Sequence, residues 1–130
     1  MLKKYLNRVF IEGLSGMALG LFATLIIGTI LGQIGNFVPG KIGTYILYVA
    51  SIAKSLMGAG IGVGVASKYK ATPLVAVSAA VAGLIGAFAS KLIAGTVFVE
   101  GTIVLAGPGE PLGAFLAAFA GIELGRLVSG

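Results

Sequence analysis

The sequence predicts an all-α transmembrane protein with four membrane-spanning helices and a short non-helical or re-entrant connection before the last of them. Apolar side chains make up 58% of the 130 residues, and the chain has 22 glycines in addition. Only 10% of the residues are charged, whereas soluble domains carry about 25%. Because so few polar side chains cannot cover a soluble fold, the composition indicates a single membrane domain over residues 1–130.

The N-terminal residues 1–12, MLKKYLNRVFIE, are predicted to form an amphipathic basic stub. Its apolar side chains share one helical face, and its lysines and arginine lie elsewhere. This pattern favours a helix that lies along the membrane surface with its cations near anionic lipid. The alternative is a frayed basic segment that only sets the topology.

Four apolar runs follow the stub. A helix needs about 20 apolar residues to cross the hydrocarbon core, and the predicted spans cover residues 13–34, 42–67, 72–90 and 112–127. The second span carries Lys54 near its midpoint. The fourth contains Glu123 and Arg126, whose three-residue spacing predicts a local ion pair, with a role in a solute pathway as the alternative.

The connection between the third and fourth spans is predicted to be non-helical. Two β-branched runs, residues 96–99 and 102–105, flank Glu100 and Gly101, which is typical of a small hairpin. The glycines and prolines of residues 107–111 then interrupt regular structure. Such backbone is tolerated at membrane depth only inside protein or beside water, so it forms either an outer cap or a re-entrant loop.

The distribution of cations predicts the orientation. Six fall on one side of the predicted spans and two on the other: Lys3, Lys4, Arg8, Lys68, Lys70 and Arg126 against Lys41 and Lys91. The positive-inside rule then places both termini in the cytoplasm of a bacterial inner membrane. Tyr45 and Tyr48 fall at the outer interface.

Small residues recur at four-residue spacing in every predicted span, which predicts close helix packing within the chain or against a second copy. Gly58, Gly60, Gly62 and Gly64 lie two residues apart and therefore occupy more than one helical face. Because glycine weakens a helix, they indicate either local unwinding or crowded packing on two faces.

Charges near these glycines suggest a binding site. A lysine at the centre of a span needs a partner or water, so Lys54 is predicted to bind cargo or to pair with a glutamate. The alternative is a lysine that snorkels or joins a fixed pair. Glu110 lies near a helix N-terminus and either binds cargo or a cation or belongs to a solvated turn. The predicted substrate-binding residues are Lys54, Gly58, Gly60, Gly62, Glu100 and Glu110.

The available chemistry is narrow. The chain lacks cysteine and histidine, and its four acidic residues are all glutamates. Without cysteine, histidine or aspartate, the chain cannot form a Ser-His-Asp or Cys-His nucleophilic system or an ordinary zinc site. We expect a protein that is not an enzyme, with no catalytic residues, no metal and no cofactor.

The chain resembles the N-terminal part of the bacterial EIIC-like membrane proteins related to the sugar phosphotransferase system. Three segments carry the likeness: GLSGMALGLFATLIIGTILGQIG, GAGIGVGVASKYKATPLVAVSAAVAGLIGA and GPGEPLGAFLAAFAGIELGRLVSG. The resemblance implies solute transport with no phosphorylation site of the chain's own. It also implies a longer protein with further spans.

We therefore expect a membrane transport protein, or part of one, that forms a pathway for a sugar or an anion. Its partners are the lipid bilayer, a small solute, and either further parallel copies or a missing C-terminal half; nucleic acid is not expected. The alternative is a non-transporting or pore-forming, holin-like protein whose glycine faces serve only oligomerisation.

Overall fold

A computed structural model describes residues 2–95, 98–105 and 107–129 of the chain, and this part is almost entirely helical. The elements are α1 (Leu2–Asn7), a π-helical turn (Arg8–Glu12), α2 (Gly13–Phe37), α3 (Gly40–Ser55), α4 (Met57–Lys68), α5 (Pro73–Ala87), α6 (Ala89–Ala94), β1 (Phe98–Val99), β2 (Thr102–Ile103) and α7 (Pro111–Ser129). The predicted all-α class is confirmed.

Two helices are long and apolar enough to cross a membrane, namely Leu2–Phe37 and Pro111–Val128. A third candidate span arises if the bent pair α3 and α4 is counted as one. The predicted third span is shorter than expected, because the chain leaves helical geometry at Phe88 and α5 has only 15 residues. At 1.5 Å per residue such a helix covers about 22 Å of the roughly 30 Å hydrocarbon core. Two to three spans are thus supported, and four are not confirmed.

Residues 2–12 of the predicted N-terminal stub are helical and continue directly into α2, whereas Met1 lies outside the described residues. Together they form one helix of 36 residues, Leu2–Phe37. A helix of this length extends for about 54 Å, which exceeds the thickness of the hydrocarbon core. One part of it therefore projects beyond the core, and where the stub lies relative to lipid stays a prediction.

Helix α4 lies at the centre of the bundle, where it contacts α2, α5 and α7. Its side chains Met57, Ile61 and Val65 are fully buried at four-residue spacing, so they form one continuous helical face. They belong to one apolar cluster with Phe115 and Ile122 of α7. Helix α3, in contrast, packs mainly on α2.

Small residues also bring α5 and α7 together. A Cβ added at Gly86 would lie 2.5 Å from the Cβ of Ala117, and one added at Gly113 would lie 2.5 Å from the Gly86 carbonyl oxygen. Further along, Gly121 lies against Ala82. The small residues that recur at four-residue spacing in the predicted fourth span therefore pack within the chain.

The connection before α7 contains the predicted hairpin. Strands β1 and β2 are antiparallel, with Val99 opposite Thr102. Glu100 and Gly101 between them have φ angles of 49° and 79°, the left-handed geometry of a two-residue type I′ turn. Thr96 and Val97, which belong to the first predicted run, lie outside the described residues. Whether the connection is re-entrant or an outer cap stays a prediction.

The close approach of α4 to its neighbours predicts opposite effects for two alanine substitutions. A Cβ at Gly62 would overlap the backbone of Ala79, so Gly62→Ala should lower the free energy of unfolding by about 1–3 kcal/mol. Gly32 has no neighbouring atom within 4 Å of an added Cβ, so Gly32→Ala should be neutral or stabilising by up to about 1 kcal/mol. Unfolding in mixed micelles by titration with sodium dodecyl sulfate measures both, and equal destabilisation by the two variants would contradict this packing.

Candidate functional site

The predicted second span consists of two helices that meet at Leu56. Helices α3 and α4 are bent by 43° at this residue, whose φ of −81° and ψ of 0° leave helical geometry. Beside it, the Ser55 hydroxyl donates a hydrogen bond to the Ile52 carbonyl at 2.7 Å. Serine side chains that bond to backbone in this way compete with the helical hydrogen bonds. We call this bend the α3–α4 joint.

The joint lies before the glycines that predicted a weak helix. Gly58, Gly60, Gly62 and Gly64 all remain within α4. They serve two packing faces: a Cβ at Gly60 would lie 2.6 Å from the Thr24 methyl group of α2, and a Cβ at Gly58 would lie 2.6 Å from the Gly83 carbonyl oxygen of α5. Crowded packing thus holds these glycines in helical geometry. Their predicted contact with substrate stays a prediction.

Lys54 lies two residues before the joint and is half-buried. Its stem packs on Gly28 of α2, where an added Cβ would lie 2.5 Å from the Lys54 Cγ. The four-residue spacing of Lys54 and Gly58 would place them on one face of a continuous helix, but Lys54 faces α2 whereas Gly58 faces α5 beyond the bend. Within residues 2–95, 98–105 and 107–129, Lys54 forms no ion pair.

Glu110 lies at the junction of α5 and α6. Its backbone N–H donates to the carbonyl of Ala87, the last residue of α5, at 2.8 Å, and its carboxylate accepts a hydrogen bond from the Ser90 hydroxyl at 2.7 Å. Ala87 also lies against Gly58, since a Cβ added at Gly58 would lie 2.7 Å from the Ala87 Cβ. Ala87 therefore links Glu110 to the first turn of α4.

The predicted site residues are thus only partly brought together. Lys54 lies just before the α3–α4 joint and the glycines lie after it, whereas Glu110 lies one helix away. Glu100, in contrast, is exposed in the hairpin turn. Lys54 and the start of α4 therefore form the centre of the candidate site.

A second polar cluster, which sequence reasoning missed, lies around Tyr69 at the end of α4. The Arg8 guanidinium lies 4.6 Å from the centre of the Tyr69 ring and pairs with Glu123 at 3.3 Å. Arg126 donates to the Tyr69 carbonyl. The predicted local pair of Glu123 and Arg126 is therefore wrong, because both side chains bind residues of other elements. Since these partners lie 57 and 115 residues apart, no local spacing could have indicated them.

Tyr69 is 5% exposed, and this burial raises the pKa of its hydroxyl above the ordinary value of 10.0. The nearby Arg8 acts in the opposite direction, but the effect of burial is larger. The ring therefore stays neutral at physiological pH and contacts Arg8 through its π face. This cluster joins the N-terminal helix, the turn after α4 and the end of α7. Residues predicted to lie on one side of the membrane thus meet at one end of the bundle.

The family model described as phosphotransferase system, EIIC, matches residues 11–130 of the chain. The chain belongs to the phosphotransferase system EIIC family. Comparisons with curated proteins and with solved structures gave no match. Membership confirms the resemblance seen in the sequence, and it makes this EIIC family member a component of membrane transport.

The Tyr69 cluster predicts that Arg8 stabilises the fold mainly through the aromatic ring. Arg8→Met should lower the free energy of unfolding by about 1 kcal/mol, since a cation–π contact contributes roughly 0.5–2 kcal/mol. The ion pair with Glu123 is about one-third exposed and therefore weak. A double-mutant cycle with Glu123→Gln in mixed micelles should give a coupling below about 1 kcal/mol.

Lys4→Met is the matched control, because Lys4 is an exposed cation on the same helix. Its free energy of unfolding should stay within about 0.5 kcal/mol of the parent value. If Lys4→Met and Arg8→Met are equally destabilising, the loss comes from the charge of the N-terminal helix rather than from the contact with Tyr69.

Proposed function

We propose that this EIIC family member forms part of the wall of a pathway for a small solute, a sugar or an anion, with Lys54 at the α3–α4 joint facing the solute. The observation that carries the proposal is the interrupted helix with a half-buried lysine two residues before its break. Transporters commonly build their substrate sites at discontinuous helices. Ionisable side chains inside spans commonly mark solute pathways.

The energetics of Lys54 support this role. A lysine at the centre of a span costs about 2.5–3.5 kcal/mol on insertion scales unless it meets water or a partner. Its stem packs on Gly28, and none of the carboxylates in the described part of the chain forms an ion pair with it. A water-filled pathway at the joint supplies the missing solvent, and an anionic or polyhydroxyl solute supplies acceptors for the ammonium group.

One such bundle is too small to enclose a solute pathway. Helix α3 packs mainly on α2, and large apolar side chains on both helices, such as Ile30 and Ile42, are exposed. We propose that parallel copies or further spans of a longer protein cover these faces. The holin-like alternative rests on glycine faces that serve only oligomerisation, yet Gly58, Gly62 and Gly86 already pack within the chain.

We further propose that the Tyr69 end of the bundle faces the cytoplasm. The basic N-terminal helix, the turn that contains Lys70 and the end of α7 with Arg126 meet at this end. Lys41, at the start of α3, lies at the other end of α2. The positive-inside rule favours the more basic end in the cytoplasm.

Replacing Lys54 should impair transport in proteoliposomes. With a panel of radiolabelled hexoses, hexitols and small organic anions, Lys54→Met should lower uptake of the accepted solute about tenfold, as expected for the loss of a charge-assisted hydrogen bond. Lys3→Met removes an exposed cation far from the joint and should keep the parent rate. Unchanged uptake by Lys54→Met would refute the role of Lys54, and unselective leakage indifferent to Lys54 and Glu110 would support the pore-forming alternative.

The proposed orientation can be tested with single cysteines, since the chain contains none. In intact bacteria, a membrane-impermeant maleimide should label Lys41→Cys, and it should label Lys3→Cys only after the membrane is permeabilised. The reverse pattern would invert the orientation. Labelling of both positions in intact cells would indicate copies of opposite topology.

A further inference from the structure

A shallow depression of about 180 Å³ lies on the surface of α3, apart from the α3–α4 joint. Lys41, Thr44, Tyr45 and Tyr48 line it. Their spacing of three, four and seven residues places all four on one helical face. The two tyrosine rings meet edge to face, with their centres 6.2 Å apart.

All four residues that line this depression carry a hydrogen-bond donor. The Thr44 hydroxyl donates to the Gly40 carbonyl at 3.4 Å, which leaves the Lys41 ammonium group and the two phenol hydroxyls as available donors. Tyr45 is 64% and Tyr48 60% exposed. Among the described residues, no carboxylate lines the depression. This set of groups suits a ligand with anionic oxygens.

The position of the depression indicates which kind of molecule supplies these anionic oxygens. It begins one residue into α3, directly after the turn that joins α2 to α3. From Lys41 to Tyr48 the helix rises by about 10 Å, which is more than the roughly 5–7.5 Å of one headgroup layer, so this face extends from the headgroups to the edge of the hydrocarbon core. Tyrosines favour this layer because the ring contacts hydrocarbon while the hydroxyl stays hydrated. At the headgroup layer, the abundant source of anionic oxygens is the lipid phosphate.

We propose that this face of α3 binds the phosphodiester of an anionic phospholipid. Lys41 pairs with a phosphate oxygen, and the hydroxyls of Tyr45 and Tyr48 donate to phosphate or glycerol oxygens. A headgroup that carries an ammonium group is disfavoured, because it would meet Lys41 with no carboxylate to receive it. The inference requires only that the chain lies in a membrane, and it is independent of the solute pathway and of the orientation.

The test uses the full chain, delipidated in detergent and titrated with phosphatidylglycerol or phosphatidylcholine, with bound lipid counted by native mass spectrometry. The parent chain should bind phosphatidylglycerol about tenfold more tightly than phosphatidylcholine, as expected for one charge-assisted hydrogen bond. Lys41→Ala should abolish this preference. The double variant Tyr45→Phe and Tyr48→Phe keeps both rings and should weaken phosphatidylglycerol binding severalfold.

Two matched variants separate this site from general charge attraction. Lys68→Ala removes an exposed cation at the other end of the bundle, and Tyr5→Phe removes an exposed hydroxyl there. Both should keep the tenfold preference. If Lys68→Ala lowers it as much as Lys41→Ala, binding reflects net charge and the site is refuted.

Two further outcomes would also overturn the proposal. Equal affinity for the two lipids would show that the anionic headgroup is not selected. Binding of sn-glycerol 3-phosphate as tight as that of phosphatidylglycerol would show a site for a free phosphate ester rather than a lipid. Circular dichroism of each variant verifies that its helical content equals that of the parent chain.

Discussion

The architecture depends on how closely α4 approaches α2 and α5. In lipid no hydrophobic force drives helices together, so they associate through packing that small residues permit. Gly60 and Gly64 let the backbone of α2 approach one face of α4, and Gly58 and Gly62 let α5 approach another. The remaining face carries the larger buried side chains that meet α7. Because α4 is enclosed on three faces, glycines that would weaken an isolated helix remain helical here.

The same enclosure accounts for the position of the joint. Helix α4 must follow its three neighbours, whereas α3 packs mainly on α2. The difference in direction is taken up at Leu56, the residue between them, and the bend of 43° separates the faces of Lys54 and Gly58. A charged residue thus lies at the boundary between a tightly packed bundle and a helix pair with exposed faces. Under the proposed function, this boundary is where further helices would complete the solute pathway.

The charged side chains at the two ends of the bundle differ in whether their partners lie within the protein. At the Tyr69 end, Arg8 and Arg126 contact an aromatic ring, a carboxylate and a backbone carbonyl, so their donors are used inside the protein and hold three elements together. At the start of α3, Lys41, Tyr45 and Tyr48 line a surface depression, and both tyrosine side chains are exposed. The first cluster stabilises the fold, and the second is available to the membrane.

The sequence by itself determined that the protein lies in a membrane, that it is helical, that a hairpin turn forms at Glu100 and Gly101, and which family it belongs to. These features follow from composition, from motifs spread along the chain and from φ preferences of neighbouring residues, all of which are local or additive. Only the tertiary structure decided that α5 ends at Ala87, that the break falls at Leu56 rather than among the glycines, and that Glu123 pairs with Arg8. Each of these outcomes depends on residues distant in the sequence, whose contacts outweigh the local preference for continuous helix or for an i, i+3 ion pair.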